Sequence, residues 1–96
     1  MYLFLVQAGL YRTVDTLLSA QQVSVDYCDS DGFTALEIAA GRGDVEMVKV
    51  LIRHRAGVEG ERLGCVAAMA LARGEEGREI VNLVVLEARR RKNENL

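Results

Sequence analysis

The chain holds 96 residues, half of them apolar and 27% charged, with a formal net charge of −2. That length fits one domain, and the small net charge gives no global pull toward nucleic acid or an anionic membrane. No apolar run reaches the ~20 residues of a membrane helix, and two cysteines with a single histidine cannot fill a structural zinc site.

The first stretch, Met1 to Leu10, is apolar but lacks the basic start and small-residue cleavage site of a secretory signal. Gly9 breaks it, and Val14, Leu17 and Leu18 follow. No turn cluster or capping threonine precedes this unit. A chain cut from a larger protein and a chain that starts here fit it equally well. Cys28 and Cys65 are placed in two connecting loops, as reduced and partly buried thiols of an intracellular protein. A disulfide between them depends on their separation, and equivalent loops of adjacent helical layers stand roughly 10 Å apart.

Residues Asp29 to Gly57 carry the densest signal. Asp29, Ser30, Asp31 and Gly32 are turn formers, and Gly32 takes a positive φ without steric cost. Thr34 with Glu37 three residues later is a capping box, which starts a short helix. Leu36, Ile38, Ala39 and Ala40 give that helix a compact apolar body that lets a neighbour approach closely. Gly41 and Gly43 end it. Asp44 caps a second helix with Val45, Val48, Leu51 and Ile52 at helical spacing. Its outer side carries Glu46, Lys49 and Arg53, of which Glu46 and Lys49 form an (i, i+3) pair. Two short helices of this kind cannot bury their apolar faces alone and need stacked neighbours.

The pattern recurs on both sides. Moved forward by about 33 residues, Gly41 falls on Gly74, Ala39 on Ala72, Ile38 on Leu71, Glu46 on Glu79, Met47 on Ile80, Val48 on Val81 and Val50 on Leu83. The turn cluster does not recur: Asp29 falls on Arg62, Gly32 on Cys65 and Thr34 on Ala67. Moved backward by one residue more, Gly43 falls on Gly9, Val48 on Val14, Leu51 on Leu17 and Ile52 on Leu18. The segment from Asp29 to Gly57, with its Asp-Gly tip, Thr-x-Leu helix start, Ala-Ala pair and glycine break, resembles one complete ankyrin repeat. Against that pattern, Ala35 and Ala68 stand where the family has proline, and Glu37 where it has histidine. The resemblance implies an all-α solenoid of stacked antiparallel helix pairs with short β-turn fingers. Residues 1–28 form a truncated first repeat and linking loop, 29–61 a complete repeat, 62–92 a degenerate or capping repeat, and 93–96 a polar tail.

No convergent catalytic set stands out. Asp29, Asp31 and Asp44 are turn and cap residues. Asp29 to Gly32 lacks the later ligands of a calcium loop, and no Lys-Ser or Lys-Thr pair follows the glycines to make a phosphate loop. His54, between Arg53 and Arg55 near a helix end, is expected at the surface or against the helix dipole. Neither a cofactor nor a metal is expected.

The resemblance instead implies a non-catalytic protein–protein interaction module, intracellular, in the cytoplasm or nucleus. Its partner surface carries over to Ser30, Asp31 and Phe33 at the tip, Tyr27 on the approach and Arg42 at the helix end. Phe33 is the expected anchor, because an outward aromatic is costly to leave in water; the alternative is packing on Arg42 or a neighbouring tip. Glu37 would add a polar rim or serve its cap alone.

A second candidate surface is the basic run Arg89, Arg90, Arg91 and Lys92. As an amphipathic helix end it suits an acidic partner, a calmodulin-like protein or a membrane surface; otherwise it is a packed helix favoured by its dipole. Ile80, Val81, Leu83, Val84, Val85 and Leu86 cover a wider arc than one buried stripe. Terminal repeats normally carry a polar outer face, so something is expected to cover this end: a further repeat, a second copy or a partner. The alternative role is therefore an assembly segment of a larger cytosolic scaffold or channel protein, self-associating through the C-terminal helix.

Overall fold

The computed structural model describes residues 2–58 and 61–94. Six helices follow in chain order: α1 (Tyr2–Gln7), α2 (Tyr11–Ser19), α3 (Ala35–Arg42), α4 (Val45–Arg53), α5 (Glu61–Leu71) and α6 (Glu75–Glu94). Each odd-numbered helix pairs with the one after it. In addition α3 lies between α1 and α5, and α4 lies between α2 and α6. The result is a two-layer stack, all-α among the described residues, with one isolated bridge between Cys28 and Thr34.

Local chemistry sets the helix limits. Thr34 accepts from the Glu37 backbone N–H, while the Glu37 carboxylate accepts from Thr34, so the capping box closes in both directions. Gly43 sits at φ +72° and donates to Ala39 and Ala40, ending α3 in a left-handed cap that a side chain would strain. The Asp44 carboxylate then accepts from the Met47 N–H at 3.2 Å and starts α4. Outside, Lys49 stands 3.7 Å from Glu46.

The core follows the repeat period. Val14, Met47 and Ile80 are inaccessible and lie in successive outer helices at steps of about 33 residues, and Leu18, Leu51 and Val84 form a second such row, so the first layer sits one residue off the expected alignment: Leu51 matches Leu18 and not Leu17, which is only partly buried. Ala35, Ala39 and Ala40 are fully covered, which lets α3 be flanked on both sides. Truncating a buried leucine of this kind costs about 2–5 kcal/mol. That is a large share of the roughly 5–15 kcal/mol that holds a domain together.

Long-range polar contacts tie the layers. Asp15 on α2 meets His54 Nε2 at 2.6 Å and Arg53 at 3.4 Å across from α4. His54 caps the C-terminal end of α4, the dipole position expected of it, but is half-buried against that carboxylate rather than at the open surface. Tyr2 Oη donates to the Val25 carbonyl at 3.0 Å, fastening α1 to the first long loop. The Gly57 N–H donates to Asp26 at 2.8 Å, fastening that loop to the next.

The third layer departs from the expected register. The positions that match the second layer's turn cluster lie inside α5, which begins at Glu61. With Arg62 and Cys65 in place of Asp29 and Gly32, neither the carboxylate that folds a tip nor the residue that takes its positive φ is present. Cys65 is therefore an exposed helical residue rather than a loop residue, while Cys28 is half-buried, and both are free thiols. Because α5 starts early, Val66 and Ala70 enter the core, and Leu71 and Ala72 are exposed, although Ala39 is covered and Ile38 partly so. The outer helix regains the period at Ile80 and Val84. Gly77 lets α5 and α6 touch: a Cβ there would overlap the Ala70 carbonyl.

The apolar surplus of α6 is largely absorbed. Ile80 and Val84 are buried, and Val81 and Leu83 pack on the core. At 20 residues, α6 is more than twice as long as the nine-residue α4. Its extension is anchored by Arg91, only 4% exposed, whose Nε donates to Glu87 at 2.8 Å and whose Nη1 donates to the Ala56 carbonyl at 2.5 Å.

Candidate functional site

The finger runs from Val25 to Thr34, and Asp29 builds its tip. Asp29 Oδ1 accepts from the N–H groups of Asp31 at 2.9 Å and Phe33 at 3.0 Å. Its backbone N–H donates to the Phe33 carbonyl, and its own carbonyl accepts from Gly32, which stands at φ +86°. Thr34 passes from the Cys28 bridge directly into the α3 cap. The finger is thus braced from within and joined to a helix start.

Its outer side chains are left to solvent. Tyr27 is 60% exposed and Phe33 42% exposed, and Ser30 and Asp31 are exposed beside them. Arg42 is also exposed, but it ends α3, whereas Phe33 precedes its start. An eight-residue helix spans about 12 Å, so the stem of Arg42 does not cover Phe33. Arg42 belongs to a separate cleft of about 270 Å³ with Gly43, Arg73 and Glu76, where Arg73 Nε donates to the Gly41 carbonyl at 2.6 Å. Of the proposed contact residues, the fold gathers Tyr27, Ser30, Asp31 and Phe33 on one finger and sets Arg42 apart. Glu37 is buried in its capping role and offers no polar rim.

Beside the finger lies a mainly apolar notch of about 260 Å³ lined by Tyr2, Leu3, Val23 and Tyr27. Burial pushes the Tyr2 hydroxyl well above the usual tyrosine range, and the negative charge of Asp26 adds to the effect. No pattern in the sequence points to this notch, because Tyr2 and Tyr27 meet only through the folding of the first loop onto α1. The charge of the finger, by contrast, is legible in the sequence. Asp15, Asp26, Asp29, Asp31 and Glu37 are the only charged residues between Arg12 and Arg42.

The basic run does not form one surface. Arg91 is buried by its bonds to Glu87 and Ala56, and Arg90 pairs with the same Glu87 at 2.9 Å. Arg89 and Lys92 remain exposed. The reason is geometric: four consecutive helical residues point in four directions.

The Asp15–His54 contact has the look of a base and its orienting group. Its cleft, however, is lined by Leu18, Gln21, Val23, Val25, Arg53 and Arg55, which supply no hydroxyl or thiol nucleophile. Among the described residues there is no cluster of three or more histidine, cysteine or acidic side chains able to hold a metal. Likewise no described helix is long and apolar enough to cross a membrane.

The stacked helix pairs, the β-turn finger capped by Thr34 and Glu37, and the left-handed glycine between paired helices agree with an independent comparison. The family model for ankyrin repeats (many copies) matches residues 3–52, just over half of the chain. Ankyrin repeats are generally protein–protein interaction modules and typically non-catalytic. The chain belongs to the ankyrin-repeat family.

Proposed function

We propose that this chain is a non-catalytic recognition segment whose partner protein docks on the finger and the adjoining start of α3, with Tyr27, Ser30, Asp31 and Phe33 in contact. The observation that carries the reading is the pair of exposed aromatics, Tyr27 and Phe33, on an internally braced finger. Large aromatics held rigidly outward bind at little entropic cost and are typical interface anchors. Arg42 joins only a partner long enough to run the length of α3. An intracellular setting, cytoplasmic or nuclear, goes with this reading, since both cysteines are free thiols.

A photo-cross-linking residue tests it. Benzoylphenylalanine in place of Tyr27 is expected to give discrete adducts in cell extract, lost when Phe33→Ala is added. The same probe in place of Lys49, on the outer helix, is expected to give none. Equal adducts from both positions would overturn the finger as the contact surface.

A second reading, assembly through the C-terminal layer, is favoured by Leu71 and Leu86, which are 63% and 62% exposed. Sedimentation of the chain and of a Leu71→Glu/Leu86→Glu variant decides it. An oligomer dissolved by the double change supports assembly, and a monomer at all concentrations refutes it.

A further inference from the structure

We infer that the finger selects a cationic segment of its partner: a stretch of chain with Lys or Arg side chains around one aliphatic or aromatic residue, the apolar residue seated in the notch of Tyr2, Leu3, Val23 and Tyr27. This rests on the finger being the docking surface and adds the chemistry of what docks.

Size comes first. At about 260 Å³ the notch falls below the roughly 300–1,000 Å³ of small-molecule pockets, and its lining is mainly apolar. It suits one side chain of a peptide rather than a free ligand.

Charge sets the rest. From Thr13 to Gly41 the chain has no lysine or arginine. Of the carboxylates in that span, Asp15 faces Arg53 and His54, and Glu37 is consumed in the helix cap. Asp26, Asp29 and Asp31 are left on the finger. Asp26 reaches the Gly57 N–H and Asp29 folds the tip, but neither bond is to a cation, so the negative charge stands.

The adjoining cleft, which shares Val23, is lined by Arg53, His54 and Arg55. Their charge is offset locally: Asp15 meets Arg53 and His54, and Glu94 lies 3.3 Å from Arg55. Among the described side chains, three aspartates thus set the field at the finger. An anionic segment is repelled there, and a cationic one is drawn in over the exposed faces of Tyr27 and Phe33, where cation–π attraction adds to the charge term.

Two labelled synthetic peptides of equal length test this on the full chain by fluorescence anisotropy, one of leucine and lysine, the other of leucine and glutamate. The lysine peptide is expected to bind and to weaken steeply between about 50 and 500 mM salt. Asp31→Asn should weaken it about two- to fivefold, and Tyr27→Ala about five- to thirtyfold. Glu46→Gln, on the outer helix, should leave it unchanged. Equal binding of the glutamate peptide would overturn the inference, as would affinity that ignores salt, Asp31 and Tyr27. Failure of both peptides would overturn it too. That failure is separable from failure of the docking surface: cross-links from position 27 that map to a neutral or acidic partner segment sink the charge preference and keep the finger.

Discussion

The sharpest structural test concerns Arg91. In a run of four basic residues it is the one that folds inward, joining Glu87 on its own helix to the Ala56 carbonyl in the loop after α4. Replacing it with alanine removes both bonds and leaves Glu87, 6% exposed, without its buried guanidinium. Breaking one side of a buried pair costs about 3–5 kcal/mol. Arg90 still reaches Glu87 from the surface, with its side chain 68% exposed, so the lower end, about 3 kcal/mol, is the expected loss. For a domain of this size that lowers the melting temperature by roughly 12–24 °C, at about 4–8 °C per kcal/mol.

Urea unfolding followed by far-ultraviolet circular dichroism measures it, with Arg90→Ala as the matched control. Loss of that exposed partner is expected to cost no more than about 1 kcal/mol. The double change Glu87→Leu/Arg91→Met should recover most of the stability, because a buried ion pair exchanged for packed apolar side chains is often neutral or better. If Arg91→Ala and Arg90→Ala prove equally mild, the extension of α6 is not anchored through Ala56 and the account of this layer fails.

Three further perturbations address other parts of the stack. Thr34→Ala removes the acceptor for the Glu37 N–H and should cost about 1 kcal/mol in the same assay, with hydrogen exchange faster at the start of α3 than in α4. Gly77→Ala drives a Cβ into the Ala70 carbonyl and should separate α6 from α5, seen as collapse of a single unfolding transition into a broad one, whereas Gly64→Ala, open to solvent, should be neutral or slightly stabilising. Tyr2 is neutral in the folded state with its ionisation pushed upward, so its contribution is complete below the unfolded value of about 10 and is lost as pH rises above it. Alkaline titration of stability should show that loss, and Tyr2→Phe should remove it at a cost of about 1 kcal/mol for the bond to Val25.

What could be read from the chain and what could not divides by distance along it. The Thr34–Glu37 box, the Gly43 cap and the Asp44 start each bring together residues within one helical turn, so spacing alone displays them. The period that stacks Met47 on Ile80 is legible because a solenoid repeats its core in sequence. Arg91 and Ala56, Asp15 and His54, and Tyr2 and Tyr27 lie far apart in the chain and meet only after the layers close. A basic run looks solvated until a carbonyl from another layer is found inside it. The early start of α5 was hidden for another reason. Missing turn residues announce that a finger will not form but do not state that a helix takes its place.

The lost finger also bears on recognition. In a regular stack each layer would offer a finger, and a partner could engage several weakly. Here the third layer turns its finger positions into the first turns of α5, so among the described residues the stack presents one finger, between the first and second layers. Docking energy is then concentrated on a few side chains rather than spread along a groove, the arrangement in which single truncations cost most. The Tyr2–Val25 bond and the Asp26–Gly57 bond hold the loop that carries Tyr27 against both neighbouring layers. On this reasoning Tyr2→Phe, although its hydroxyl points at a loop carbonyl and not at solvent, should weaken binding of the leucine–lysine peptide by loosening the notch wall. Asp15→Asn, which loosens the outer helices instead, should lower stability without that loss. Equal effects of the two on binding would mean that the finger draws its rigidity from the stack as a whole and not from its own ties.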